Sequence, residues 1–216
     1  MALDSPAKAP NSRRTILDAA AACFARQGFA QTSIDDIARA IGATKGKIYH
    51  HFRSKGELLS AVRKSSILLT SAQVEPVFWA HQAPRARFHS MGMAHVRAMI
   101  EQLPYHRVVI ENLRKGDIGP STPHERALMQ EIRTLQRGYE DLFRTVITQG
   151  MQNGAFHSQP VSVALHSVLM LLNAPVFWYH PRQGETAADR DAIARQIADM
   201  ALAALTPLAE PKDPLP

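Results

Sequence analysis

Gly42 separates two short stretches that each read as a helix, and that pair constrains the chain more than any other feature. Upstream, Ser33 precedes Ile34, Ile37, Ala38 and Ile41, which fall on one face at helical spacing. Asp35 and Asp36 fill the first turn, where the helix dipole favours anions. Downstream, Thr44 stands at the N-cap position of a second helix, Lys45 to His51. The turn between them calls for positive φ, which glycine adopts without steric cost. The second helix is too short to supply much core, and it leaves Lys45, Lys47, Tyr49, His50 and His51 facing outward. Presented to a major groove, the N-terminal turn of such a helix reaches base edges, while Tyr49, His51 and Lys55 donate to phosphates. Gly46, in the first turn, allows close approach to DNA or to the neighbouring helix.

The charge distribution is an independent indication. Residues 1–64 hold 11 Lys and Arg against 5 Asp and Glu, whereas residues 65–216 hold 14 against 14, so the whole net charge of +6 lies in the first part. An isolated basic run is usually only a solvated face. Its coincidence with a helix-turn-helix makes it an electrostatic footprint for phosphate.

The stretches Thr32-Ser33-Ile34-Asp35-Asp36-Ile37-Ala38, Gly42-Ala43-Thr44-Lys45-Gly46, Ile48-Tyr49-His50-His51-Phe52 and Lys55-Gly56-Glu57-Leu58-Leu59 closely resemble the signature of the tetracycline-repressor-like (TetR/AcrR) family of bacterial transcriptional regulators. The preceding helix, Arg13 to Gln27, fits as well, with Ile16, Leu17, Ala20, Ala21 and Phe24 on one stripe and Gly28 after it. The resemblance covers about the first quarter of the chain. It implies that Thr32 or Ser33, Tyr49, His51 and Lys55 hold phosphates and that Thr44, Lys45, Lys47 and His50 approach bases. Lys47 replaces the small residue that is more usual at its position.

Beyond residue 55 the pattern stays helical, with no alternating strand signal and no internal repeat, so an all-α chain is expected. Leu58, Leu59 and Val62 begin a linking helix expected to fade near Val74 to Pro76, because proline disfavours helix in the residue before it. Arg85 to Gln102 and Tyr105 to Arg114 read as two helices separated at Pro104, and Lys115 to Pro123 as a loop. Leu128, Ile132, Leu135, Tyr139, Leu142, Phe143, Val146 and Ile147 trace a further helical stripe. Val161 to Tyr179 is apolar nearly all round and is expected to be covered on more than one side. Its longest apolar run, from Val163, is interrupted by His166, Asn173 and Pro175. It falls short of the ~20 residues that cross a bilayer, so a buried helix and no membrane partner are expected. The last helix, about Thr186 to Leu205, carries Ile193, Ile197, Met200, Ala201, Ala204 and Leu205 on one face.

The expected organisation is a disordered tail at 1–10, a three-helix helix-turn-helix DNA-binding domain at 11–58, a larger helical ligand-binding and dimerisation domain at 59–206, and a disordered tail at 207–216. The N-terminal residues lack an apolar secretory core, and the single Cys23 suits a reducing cytoplasm. The last two main helices complete a monomer's core or form an interface equally well on sequence alone. The family resemblance implies the second, a homodimer that sets two reading heads on a palindromic operator.

The candidate pocket residues are Met91, Met93, His95, Met99, Arg107, Asn112, Met129, His166, Met170, Asn173, Phe177 and Trp178, and of these Met99, Arg107, His166, Met170, Asn173, Phe177 and Trp178 are the expected effector contacts. Asn173 and Pro175 are unusual inside an apolar helix, since proline frees a carbonyl and a buried amide needs partners, and they mark an expected kink. The run Phe177-Trp178-Tyr179-His180-Pro181-Arg182-Gln183-Gly184 resembles regulators that respond to acyl-coenzyme A thioesters. Ala174 and Phe177 stand where an aromatic and an arginine are expected, which favours a more apolar effector, with Arg107 or Arg182 as anionic anchors. An efflux-type regulator sensing cationic drug-like compounds is the alternative within the family.

An enzyme is the rival class. The ten histidines and nineteen acids include no set with metal-ligand helical spacing, and the chain lacks a Gly-x-Ser-x-Gly elbow and a phosphate-cradling glycine loop. His50 and His51 point about 100° apart on a helix and make poor partners for one metal. No catalytic residue, cofactor or metal is therefore expected. A nonspecific architectural DNA binder leaves the large neutral body without a role.

Overall fold

The computed structural model describes residues 12–115 and 122–206, and among them there is helix and no strand. The helices are α1 Ser12–Gln27, α2 Ile34–Ala40, α3 Lys45–His51, α4 Lys55–Phe78, α5 Pro84–Glu101, α6 Leu103–Lys115, α7 Pro123–Gln152, α8 Val161–Leu172, α9 Pro175–Trp178 and α10 Ala187–Ala203. The tails expected at 1–10 and 207–216, and most of the loop expected after Lys115, lie outside the described residues.

The chain divides into two compact units, one formed by residues up to Ser66 with Pro104–Arg133, the other by Ile67–Leu103 and the residues from Thr134 on. In the first unit, α1 ends at Gly28, whose φ of +80° turns the chain while its N–H still donates to Phe24 O at 2.8 Å. Gly42, at φ +60°, makes the corresponding turn between α2 and α3. Ile16, Phe24, Ile37, Ile48, Phe52 and Leu58 fill the space between these helices and are essentially fully buried. The same unit contains most of α6 and the start of α7. The Tyr105 hydroxyl of α6 donates to the Asp18 carboxylate of α1 at 2.7 Å, and the Arg14 guanidinium lies over the Tyr105 ring. Burial first, then Asp18, raises the Tyr105 hydroxyl well above its ordinary pKa.

The second unit has a continuous apolar core. The Phe88 ring meets Phe143 and Phe156 edge-on, each with centroids 6.0 Å apart. Phe156 lies directly on Gly150, where a Cβ would come within 2.1 Å of its ring. Gly92 of α5 lets α10 approach closely, since a Cβ there would meet the Ala198 methyl at 3.3 Å. Buried Ala194, Ala198 and Ala201 complete that thin seam. α10 starts with a capping box: Asp189 N–H donates to Thr186 Oγ1, and Thr186 N–H donates back to the Asp189 carboxylate.

Three expectations about elements need correction. α4 does not fade at Val74 to Pro76 but continues through Pro76 to Phe78. Proline there forfeits one backbone bond close to the helix end, while Val74 is fully buried and Val77 and Phe78 pack on the core and hold the turn. Among the described residues, Val161 to Tyr179 is not covered on both sides. α8 buries Leu165, Val168 and Leu172, but Val163, Met170, Phe177 and Trp178 are each more than half exposed. The run is also not one helix, because α8 ends at Asn173 and α9 restarts at Pro175, where the expected kink lies. Finally, Ile197 belongs to the chain's own core, whereas Met200 points out of it.

Candidate nucleic-acid interface

The reading unit is built on local rules. Asp36 N–H donates to Ser33 Oγ at 3.1 Å, and Ser33 N–H donates to Asp36 Oδ2 at 2.9 Å, so α2 begins with a closed capping box. These bonds, with the Ser33 hydroxyl first, hold the Asp36 carboxyl below its ordinary pKa. Ser33 itself stays exposed. Thr44 caps α3 in extended geometry but makes no side-chain capping bond, which leaves its hydroxyl at an exposed helix start.

Within α3 only Ile48 is buried; it anchors the helix while Lys45, Gly46, Lys47, Tyr49 and His50 stand exposed. His51 is half-buried, with its ring 5.2 Å from that of His50. Lys45 Nζ donates to the Asp35 carboxylate at 3.2 Å, an exposed pair of little energetic weight. A Cβ on Gly46 would meet only Thr44 Oγ1, at 3.8 Å, so nothing inside the fold requires glycine there.

Two of the expected phosphate contacts are placed differently. The Thr32 side chain is buried, with its hydroxyl hydrogen shared between Gly28 O at 2.8 Å and Cys23 O at 3.3 Å. Lys55 Nζ is turned onto backbone carbonyls, donating to Phe29 O and Thr32 O at 2.9 Å each and to Ala30 O at 3.4 Å, over the Phe29 ring. Both side chains fasten the α1–α2 turn. Turn carbonyls outside the helix ladders attract such donors, and sequence spacing alone does not separate that use from a phosphate contact.

The seven expected effector residues are not brought together. Met99 is buried on α5, and Arg107 is half-buried on α6 within the first unit. His166 is exposed, with Nδ1 2.7 Å from Ser162 O on its own helix. Met170, Phe177 and Trp178 are exposed on α8 and α9. Asn173 alone of the seven touches a buried polar cluster, centred on the candidate pocket residue His95. Its Oδ1 accepts from His95 Nε2 at 3.2 Å, and His95 Nδ1 in turn lies 2.5 Å from the Tyr139 hydroxyl. Because Oδ1 can only accept, Nε2 carries the ring proton and Nδ1 accepts from Tyr139. Burial drives the His95 pKa down to about 4, so the ring is neutral at pH 7. The sequence signal was a histidine between Met91, Val96 and Met99 on an otherwise apolar stripe.

Residues 16–62 match the family model for bacterial regulatory proteins of the tetR family, and residues 81–205 match that for the tetracyclin repressor-like C-terminal domain. The chain belongs to the tetracycline-repressor family. Among curated members of this family it is 43% identical over 65 residues to the transcriptional regulator SrpR of Pseudomonas putida, a match spanning 30% of each chain. It is 27% identical over 181 residues to the transcriptional repressor KstR2 of Mycobacterium tuberculosis, spanning 83% of this chain and 87% of that one. Among solved tetracycline-repressor-family structures, PfmR of Thermus thermophilus superposes with a TM-score of 0.72 at 26% identity, covering 87% of this chain and 97% of the other. AibR, solved in complex with isovaleryl coenzyme A and operator DNA, gives a TM-score of 0.71 at 25% identity over 91% of this chain and 99% of the other. The shorter match is the more identical one, 43% over 65 residues against 27% over 181.

Proposed function

We propose that this chain is a ligand-responsive, DNA-binding transcriptional repressor that works as a homodimer in the cytoplasm. The observation that carries the reading is the exposed row Thr44, Lys45, Gly46, Lys47, Tyr49 and His50 on α3, standing on the part of the chain that holds all of the net positive charge. In a major groove, Thr44, Lys45, Lys47 and His50 approach bases. Ser33, Tyr49 and His51 reach phosphates, while Thr32 and Lys55 hold the turn that positions α2. Residues 11–58 act as the reading head and 59–206 as the sensing and pairing body. The reading assigns no catalytic residue, cofactor or metal.

Pairing through α8, α9 and α10 is supported by the exposed large apolar side chains Val163, Met170, Phe177, Trp178 and Met200 on these helices. A two-fold dimer matches two half-sites of a palindrome. The effector we favour is a small, largely apolar carboxylic acid or its coenzyme A thioester, by likeness to AibR and by the apolar body. An effector that binds the DNA-free form better lowers operator affinity by population shift.

Selection of bound fragments from the native genome, followed by anisotropy on the selected operator, tests the reading. Lys45→Ala should cost roughly 1–3 kcal/mol and relax base choice at one position. Titration of matched acid and thioester pairs against the protein–operator complex then reads DNA release. Recovery of no enriched sequence would overturn the regulator reading, and release by cationic compounds alone would replace the effector class.

A further inference from the structure

The second unit carries a groove of about 570 Å³ that none of the expected effector residues lines. Its walls are Phe78 and Trp79 at the end of α4, His81 in the loop that follows, Arg87 in the first turn of α5, and Thr145 and Gln149 on α7. Its volume is in the range of small-molecule sites. The aromatic wall is preformed, since the Phe78 and Trp79 rings meet edge-on at 4.8 Å, yet Trp79 is 72% exposed. An indole left so open at the groove has apolar area available to a ligand.

Arg87 supplies the chemistry. Its guanidinium lies 5.9 Å over Phe78, and one terminal nitrogen donates to Gln149 Oε1 at 2.7 Å. Its Nε is closed off from solvent and has no hydrogen-bond acceptor. Among the described residues no carboxylate pairs with it, and the groove lining contains none. A buried donor without an acceptor is costly, and an arginine fork is matched in shape by a carboxylate. The α5 N-terminus adds to the positive potential, because Ala83 provides no side-chain cap. To present its Nε edge to the groove, the guanidinium must swing and exchange Gln149 for the incoming carboxylate.

We propose that this groove is a binding site for monocarboxylates with an apolar stem, the carboxylate held by the Nε edge of Arg87 and the stem lying on Trp79 and Phe78. Arg87 reads the charge, and the aromatic pair takes the rest of the ligand by area, accepting aliphatic and aromatic stems alike. The inference is drawn from the groove alone and goes beyond the regulator reading, since occupancy can be measured without DNA.

The test is calorimetry on the full chain with decanoate and phenylacetate, alongside decanamide and phenylacetamide as uncharged isosteres. Trp79 emission is followed in a Trp178→Phe background. The expected result is saturable binding of the acids with a change in Trp79 emission, weakened about tenfold or more for the amides and for Arg87→Gln, and partly retained by Arg87→Lys. Trp79→Ala should weaken every acid without selecting between acid and amide. Circular dichroism checks that each variant is folded. Failure of both acids to bind, equal binding of acid and amide, or unchanged acid binding by folded Arg87→Gln overturns the proposal. Operator anisotropy on the same preparations reads the regulator proposal separately, and its failure leaves the groove result standing.

Discussion

At Gly46 the fold and the proposed function make opposite demands. Alanine meets only Thr44 Oγ1 there, at van der Waals distance, and is the better helix former, so Gly46→Ala should stabilise the protein by a few tenths to about 1 kcal/mol. Operator affinity should nevertheless fall, because the added methyl stands where backbone approaches the groove. Urea unfolding beside operator anisotropy checks both signs, and unchanged affinity would take the first turn of α3 away from the DNA. His95 has a different consequence. Its folded pKa of about 4 lies below its ordinary 6.5, so between these values the unfolded chain binds a proton that the native core refuses. Stability is therefore full above about pH 6.5 and declines as pH falls toward 4, by about 3 kcal/mol in all for this residue. The His95→Gln protein should show a flatter dependence of its denaturation midpoint across that window. The lowered carboxyls of Asp36 and Asp189 act in the other window, below their ordinary 3.8. At Gly150 the constraint is steric. Gly150→Ala drives a methyl into the buried Phe156 ring and should cost about 1–3 kcal/mol, read as a lower melting temperature.

At the scale of elements, what the sequence disclosed was local. Ser33 with Asp36, Gly28 and Gly42 announce helix ends within four residues, and α2 and α3 fall where their caps and stripes put them. Pro175 announced the break after α8 for the same reason. Pro76 misled because a proline's local preference was outweighed by the buried side chains around it. Contacts between distant segments left no trace. Tyr105 with Asp18, 87 residues apart, and His95 with Tyr139, 44 apart, look like unremarkable polar residues on helical stripes until the chain brings them together. Lys55 and Thr32 were legible as important but not as to which way they face. Periodicity ranks positions as inner or outer, and a long side chain at the boundary chooses its partner by which carbonyls are left over.

At the scale of the whole molecule, the exposed apolar face predicts that two changes on neighbouring helices behave differently. Met170→Asp adds a carboxylate at a position 64% exposed in the protomer, so the variant should stay folded, run as a monomer in light scattering and lose operator affinity. Ile197→Asp places the charge in the protomer's own core and should unfold it outright. A folded Met170→Asp protein that remains dimeric would move the pairing surface elsewhere. The inward-turned Lys55 bears on how the molecule responds to its ionic surroundings. An ammonium whose hydrogens are all held by carbonyls of the α1–α2 turn releases no condensed counterion from DNA. Each lysine that neutralises a phosphate steepens the dependence of log affinity on log salt by about 0.9. The basic residues of the reading unit therefore overstate that slope, and the complex should tolerate rising salt better than their number suggests.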